Sequence, residues 1–321
     1  MTPQNAPTPL IIDTDPGIDD ALAIMLAVAS PEAEVLGMTA VAGNVGLDKT
    51  APNLAALADL VGFTGPVGIG AAGPLWRRDT LPAWDVHGEN GLGGYELPVS
   101  TRQLQPALPL LANLIEESEH PVTVAAIGPL TNIAGLITHF PRAAAKVKRF
   151  VIMGGATLDR PGNTTPAAEF NIYYDPDAAA RLFAFGSETG VPITMVGLNV
   201  TDRARVGPSH LPALFDSGGP CARMVGHIMA NYATDRTDEG SAQHDAVALA
   251  AVIEPDILKT RSLFVDVENI GRLTSGMTVV DHLGLSGNAP NCDVALSVDV
   301  ARLRTLLNTR IAALDERLKE A

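Results

Sequence analysis

One stretch near the N-terminus constrains the whole chain: Leu10-Ile11-Ile12-Asp13-Thr14-Asp15-Pro16-Gly17-Ile18-Asp19-Asp20-Ala21. A short apolar run ends at Asp13, a Pro-Gly turn follows, and a long apolar helical run begins, so a buried strand hands over to a buried helix. Four carboxylates, Asp13, Asp15, Asp19 and Asp20, crowd that junction. Ionised groups so close repel one another, and taking each out of water costs several kcal/mol unless something neutralises it. A helix N-terminus offsets part of the cost. A hard divalent cation offsets much more, and all-oxygen ligation favours Ca2+ or Mg2+ over Zn2+. One or two of these aspartates need no more than a capping or turn role. An EF-hand loop fits poorly, because Ile18 and Ile24 stand where its glycine and glutamate belong. The Asp-x-Asp spacing of Asp13 and Asp15 also matches a phosphatase nucleophile loop, although Gly17 stands where threonine or valine is usual.

The same alternation continues along the chain. Leu10–Asp13, Val35–Val41, Val67–Ile69, Val122–Ile127, Phe150–Met153 and Pro192–Val196 read as strands. Ile18–Ala29, Asn53–Val61, Ala107–Glu117, Leu130–Thr138 and Pro176–Phe185 read as helices between them. The pattern predicts an α/β fold, an open and mostly parallel sheet with helices on both faces. Ligands then bind beyond the carboxyl ends of the strands, and Asp13, Asn44, Ile127 and Met153 all lie at or just after such ends. Trp84–Gly94 and Gly154–Asn171 read as loops. Past Val200, Ala222–Thr234 and Ala246–Ile253 look helical, Leu263–Val267 and Cys292–Val298 look like strands, and Val300–Leu318 is a closing amphipathic helix. With no linker and no internal repeat, residues 9–321 read as a single domain behind a flexible polar segment over residues 1–8.

Composition narrows the function. Of the 321 residues 46% are hydrophobic and only 4% aromatic, so the expected core is aliphatic and alanine-rich. A net charge of -14 argues against non-specific nucleic-acid binding and against anchoring to anionic lipid. No apolar run reaches membrane-spanning length unbroken, and the first eight residues lack a signal-peptide pattern. Two cysteines make no disulfide framework, so a reduced, cytoplasmic compartment is the expectation.

The motif Asp13-Thr14-Asp15-Pro16-Gly17-Ile18-Asp19-Asp20-Ala21 resembles the signature of the inosine-uridine-type nucleoside hydrolases. Gly43-Asn44, His87-Gly88, Gly128-Pro129-Leu130-Thr131-Asn132, Met153-Gly154-Gly155, Ala168-Glu169-Phe170-Asn171 and His244-Asp245 follow in that family's order. The resemblance implies a Rossmann-like sheet, hydrolysis of the N-glycosidic bond of ribonucleosides, and a tightly held Ca2+. It implies Asp15, Asp20, Asp245 and the carbonyl of Ile127 as metal ligands, with Asp15 also the general base and Asp13 supporting it. Asp19, Asn44, Asn163, Glu169, Phe170 and Asn171 correspond to sugar contacts, with Met153 under the ring. His244 corresponds to the general acid for the leaving base, and His87 to a base-side residue on a loop able to close over substrate. It also implies a homo-oligomer, dimer or tetramer, in nucleoside salvage.

Tyr232 and Arg236 are four apart and share a helix face. Similar residues line the base pocket of the inosine-uridine group, which leans towards a broad purine-and-pyrimidine enzyme. Two rivals stay open at this stage. One is a phosphatase using Asp13 as nucleophile; the other is a catalytically silent nucleoside-binding protein.

Overall fold

A computed structural model describes residues 6–77, 83–232 and 240–320, the side chains of Trp84 and Tyr232 excepted. The first half of the chain runs β1 (Thr8–Thr14), α1 (Ile18–Ala29), β2 (Ala33–Ala40), α2 (Leu47–Leu60), β3 (Val67–Ile69), α3 (Trp84–His87), β4 (Gln105–Pro106), α4 (Ala107–Glu117), β5 (Thr123–Ala126), α5 (Thr131–His139), α6 (Pro141–Ala144) and β6 (Arg149–Met153). Next come α7 (Phe170–Tyr174), α8 (Pro176–Thr189), β7 (Ile193–Val196), α9 (Leu198–Thr201), β8 (Arg205–Val206), α10 (Pro212–Ser217) and α11 (Pro220–Tyr232). The chain closes with β9 (Ser241–Ala242), α12 (His244–Ile253), β10 (Leu258–Leu263), β11 (Val265–Glu268), β12 (Met277–Val280), β13 (Cys292–Val298) and α13 (Val300–Glu320).

Nine strands form one sheet in the order β10-β13-β7-β6-β5-β1-β2-β3-β4. Every pairing in it is parallel except β10 against β13. The predicted open, mostly parallel architecture is therefore the observed one. Chain order runs outward from β1 through β2, β3 and β4 on one side and through β5, β6 and β7 on the other, so the switch point of the sheet lies between β1 and β5. Asp13 is level with Thr39 on β2 and Ala126 on β5, which puts the Asp-rich turn at that switch.

Both faces of the central strands are buried, which is why β1, β5, β6 and β7 are largely apolar. Leu10 and Ile12 enter one apolar cluster with α1, α12 and α13, while Ile11 enters the other with α5 and α8. Apart from Val28, all of α1 is buried. The uniform apolar character of that helix follows. Among the described residues no helix is long and apolar enough to cross a membrane.

Four expectations need correction. Pairing starts at Thr8 against Ala33, inside the segment read as a flexible leader; residues 1–5 lie outside the described residues. The helix expected from Asn53 starts at Leu47, with Pro52 inside it. Gly46 already accepts the N–H groups of Lys49 and Thr50, so the helix is under way before the proline arrives. Both expected loops contain helix: Trp84–His87 in one, and Phe170–Tyr174, capped by Glu169, at the end of the other. The strand read over Leu263–Val267 is the junction of two strands in different sheets, broken between Leu263 and Val265.

Candidate active site

A cavity of about 420 Å3 opens beyond the carboxyl ends of β1, β5 and β6, a size that suits a small-molecule ligand. Asp15, Asp19 and Asp245 line it together with Ile127, Met153, Asn171 and His244. Asp15 comes from the turn after β1, Asp19 and Asp20 from the first turn of α1, and Asp245 from the first turn of α12. Two helix N-termini thus aim carboxylates at one place, where the helix dipoles stabilise negative charge.

The carboxylates are enclosed and individually held. Asp20 accepts the Thr14 hydroxyl, the Gly17 N–H at 2.8 Å and Asn44 Nδ2 at 3.2 Å. Asp15 Oδ2 accepts the Asn44 N–H at 2.7 Å, and Asn44 Nδ2 also reaches the Asp15 carbonyl at 3.1 Å. Asn44, expected on the sugar, therefore also locks Asp15 to Asp20. Asp19, Asp20 and Asp245 offer oxygens that all lie within 4.8 Å of one another. This trio differs by one member from the expected ligand set of Asp15, Asp20 and Asp245. Asp15 directs one oxygen to the Asn44 N–H, yet it still feels Asp20 and Asp19 electrostatically.

Electrostatics follow from burial and repulsion. Burial, then the Asp20 charge, raises the Asp15 carboxyl well above the usual carboxylate range. Burial, then Asp19, raises Asp20 to about 6. Asp245 is raised well above normal by burial and by the Asp19, Asp20 and Asp15 charges. Burial also raises Asp19, although the His244 ring opposes it. Such a group of acids is under strain unless positive charge joins it.

Asp13 stands behind this wall. It is fully buried and is not among the cavity residues. Its Oδ1 accepts the Thr39 hydroxyl at 2.5 Å and Asn132 Nδ2 at 2.7 Å, and burial lifts its carboxyl to about 7. A carboxylate so enclosed cannot meet a phosphoryl group, which removes the phosphatase rival.

The polar floor is equally defined. Asn171 Nδ2 donates to the carbonyls of Ile127 and Met153, both at 3.1 Å. Glu169 accepts the N–H groups of Asn171, Gly155 and Ile172 at 2.8, 2.9 and 3.1 Å. Both of its oxygens are thus committed, and burial raises its carboxyl to about 7. Asn163 Oδ1 accepts the Phe170 N–H at 3.0 Å, and both residues line the cavity.

The two histidines differ. His244 Nδ1 pairs with the Thr201 hydroxyl at 2.8 Å, which orients its ring at the N-terminus of α12. His87 is buried, its Nδ1 accepts the Ile18 N–H at 3.1 Å, and burial lowers it to about 4. Its ring is therefore neutral near pH 7, with the hydrogen on Nε2. Tyr232 ends α11, while Arg236 and the Tyr232 side chain lie outside the described residues.

Sequence reasoning missed several cavity residues: Arg160 and Asp202, which pair with each other, and Gln243, Ile228 and Met229. Ile228 precedes Tyr232 by one helical turn, so the face assigned from Tyr232 already contained that signal. Arg160 carried none, since loop packing alone brings it to Asp202.

Comparison with known proteins shows which family shares this sequence and fold. The family model described as inosine-uridine preferring nucleoside hydrolase matches residues 10–305. A pyrimidine-specific ribonucleoside hydrolase, RihA, of Klebsiella pneumoniae is 42% identical over 312 residues, 95% of this chain and 98% of that protein. The structure of a purine-preferring ribonucleoside hydrolase from Gardnerella vaginalis superposes with a TM-score of 0.87 at 30% identity, covering 97% of this chain and 100% of that one. A plant nucleoside hydrolase gives 0.85 at 32%, covering 95% and 99%.

Proposed function

The chain belongs to the inosine-uridine preferring nucleoside hydrolase family and is a ribonucleoside hydrolase, an N-glycosyl hydrolase, and from that premise we propose that it cleaves purine and pyrimidine ribonucleosides to ribose and free base with Ca2+ bound. The observation that carries the reading is the convergence of Asp15, Asp19 and Asp245 on one wall of a ligand-sized cavity, with Asp20 within 4.8 Å of Asp19 and Asp245.

The donor set fits the ion. Oxygens of Asp19, Asp20 and Asp245 gather within 4.8 Å of one another, burial and neighbouring charges raise these carboxyls and that of Asp15, and a dication relieves both. Asp15, Asp20 and Asp245 would hold it, with the Ile127 carbonyl as a further ligand. Asn171 takes one lone pair of that carbonyl and leaves the other. When bound, Ca2+ supplies the charge that acidifies an attacking water and gathers ribose hydroxyls.

The side chains then divide the work. Asp15 takes the proton from the water, a task that suits a buried carboxylate with a raised pKa. Asp19 accepts hydrogen bonds from the ribose hydroxyls, and the acidic wall favours the positive charge that builds on the sugar as the glycosidic bond breaks. Asn44, Asn163, Glu169, Phe170 and Asn171 orient the ribose over Met153. His244, its ring steadied by Thr201, protonates the departing base. Neutral His87 presents a fixed N–H on the base side, to which the family resemblance also assigns Tyr232 and Arg236.

The test is base release from inosine, adenosine, guanosine, uridine and cytidine, with and without a chelator. The expected result is release that chelation abolishes and Ca2+ restores. Thermal stabilisation by nucleosides without any turnover would instead mark a silent binder.

A further inference from the structure

The apolar side of the cavity has two walls from distant parts of the chain. One is the α3 segment with Val86 and His87; the other is α11 with Ile228 and Met229. A nucleobase, flat and weakly polar on its faces, belongs between such walls, while the carboxylates serve the sugar.

The loop after α3 is a built turn. Gly88, Gly91, Gly93 and Gly94 have φ of 73°, 82°, 62° and 71°, backbone that glycine adopts without strain. Asn90 Oδ1 accepts the Leu92 and Gly94 N–H groups at 3.0 and 2.9 Å, and its Nδ2 donates to the Tyr95 carbonyl at 3.1 Å. From outside, Asn53 Nδ2 holds the Asn90 carbonyl at 2.8 Å. The loop expected to close over substrate is thus a pinned wall in this structure.

A hydrogen-bond relay runs through it. The Ile18 N–H donates to His87 Nδ1 at 3.1 Å, the Gly93 N–H donates to the His87 carbonyl at 2.9 Å, and His227 Nε2 meets the Gly93 carbonyl at 2.9 Å. Against a carbonyl that nitrogen must carry the hydrogen. The Tyr95 ring packs edge-on against His227, centroids 5.3 Å apart. His227 is not among the cavity residues, but it immediately precedes Ile228 and Met229. Any shift of His227 therefore moves that wall directly.

We infer that His227 is a positioning residue: through Gly93 and Tyr95 it fixes the spacing between His87 and the Ile228–Met229 face of α11, and so the fit of the leaving base. The inference rests on the proposed hydrolysis and adds to it a determinant that touches no substrate. Flat ligands lose contacts along a whole face when a wall moves by a fraction of an ångström.

The test compares wild type, His227→Ala, His227→Gln and Tyr95→Leu for KM and kcat on uridine and inosine, and for inhibition by free ribose, which needs only the sugar side. His227→Ala should raise both KM values by up to roughly tenfold, the scale of one lost hydrogen bond, with kcat and ribose inhibition within about twofold. His227→Gln, which keeps an N–H donor, should restore KM to within about threefold of wild type. Tyr95→Leu should raise KM by a smaller factor, about threefold, and carries the test if His227→Ala fails to fold. Unchanged KM in both His227→Ala and Tyr95→Leu would overturn the inference. So would parallel weakening of nucleoside and ribose with no rescue by glutamine, which marks a merely structural role. A wild-type enzyme that releases no base would instead sink the hydrolysis reading itself, and this inference with it.

Discussion

The two sides of the cavity are built on different plans. The acidic side stands on β1, α1 and α12, elements buried all round in the main apolar cluster. Its Asp15 and Asp20 carboxylates are tied to backbone N–H groups in the core. The apolar side stands on a four-residue helix, a glycine turn and α11, away from the sheet, joined by a few hydrogen bonds. Groups that must be placed to a fraction of an ångström sit on rigid core elements, whereas the surface that reads the base sits where sequence can vary without unfolding the chain. Relatives with opposite base preferences share this fold, as that division of labour requires.

If the division is right, substitutions on the acidic side should cost turnover and those on the apolar side should cost affinity. Asp15→Asn keeps an oxygen for the ion but is a far weaker proton acceptor. With Ca2+ saturating it should lower kcat about 100-fold or more, the range for a lost general base. Steady-state kinetics giving a near-normal kcat would take that role from Asp15. His244→Ala should lower kcat on inosine by about 100-fold and on p-nitrophenyl riboside, whose leaving group needs no proton, far less. Equal losses on the two substrates would remove His244 as the acid.

A third test reads the strain on the acidic side as stability. Burial raises Glu169 from its ordinary 4.5 to about 7 and Asp13 from 3.8 to about 7. The folded chain then holds protons that the unfolded chain releases, so folded-state stability falls as pH rises between about 4 and 7. Thermal melts of the chelated protein should follow that slope, and Glu169→Gln should flatten it. Ca2+ should raise Tm more at about pH 7.5 than at about pH 5, because its ligands must be deprotonated. A melting temperature that climbs steadily from pH 4 to 7 without metal would contradict the buried-acid picture. The smallest effect belongs to the apolar side. Ile228→Ala should raise KM for uridine and inosine by less than about tenfold, the range for a few lost methylene contacts, with kcat unchanged.

Most of the fold was legible because its elements are buried and regular. The bounds read for α1, α4, β3 and β13 are the observed ones, since apolar periodicity and a stop such as Ser30-Pro31 define them locally. Where tertiary packing decides, the sequence misleads. Pro52 reads as a helix breaker, yet it sits inside α2. The break at Phe264 is silent in the apolar run Leu263–Val267, because two different sheets claim its ends. In the candidate site, the structure brings together the residues that a motif carries, since Asp15, Asp19, Asp20, Asn171, His244 and Asp245 lie at or near helix starts with a recognisable pattern. Arg160 and Gln243 have no local signature and reach the cavity through tertiary packing, whereas Ile228 lies one helical turn before Tyr232 on the face already singled out.

The account turns on acids from both ends of the chain sharing one ion. Equilibrium dialysis against Ca2+, with wild type and Asp245→Ala side by side, tests this without any substrate. The account predicts one tightly held Ca2+ per wild-type chain and its loss in Asp245→Ala at matched folding. A wild-type chain that binds none, or an Asp245→Ala chain that binds it equally well, would contradict it.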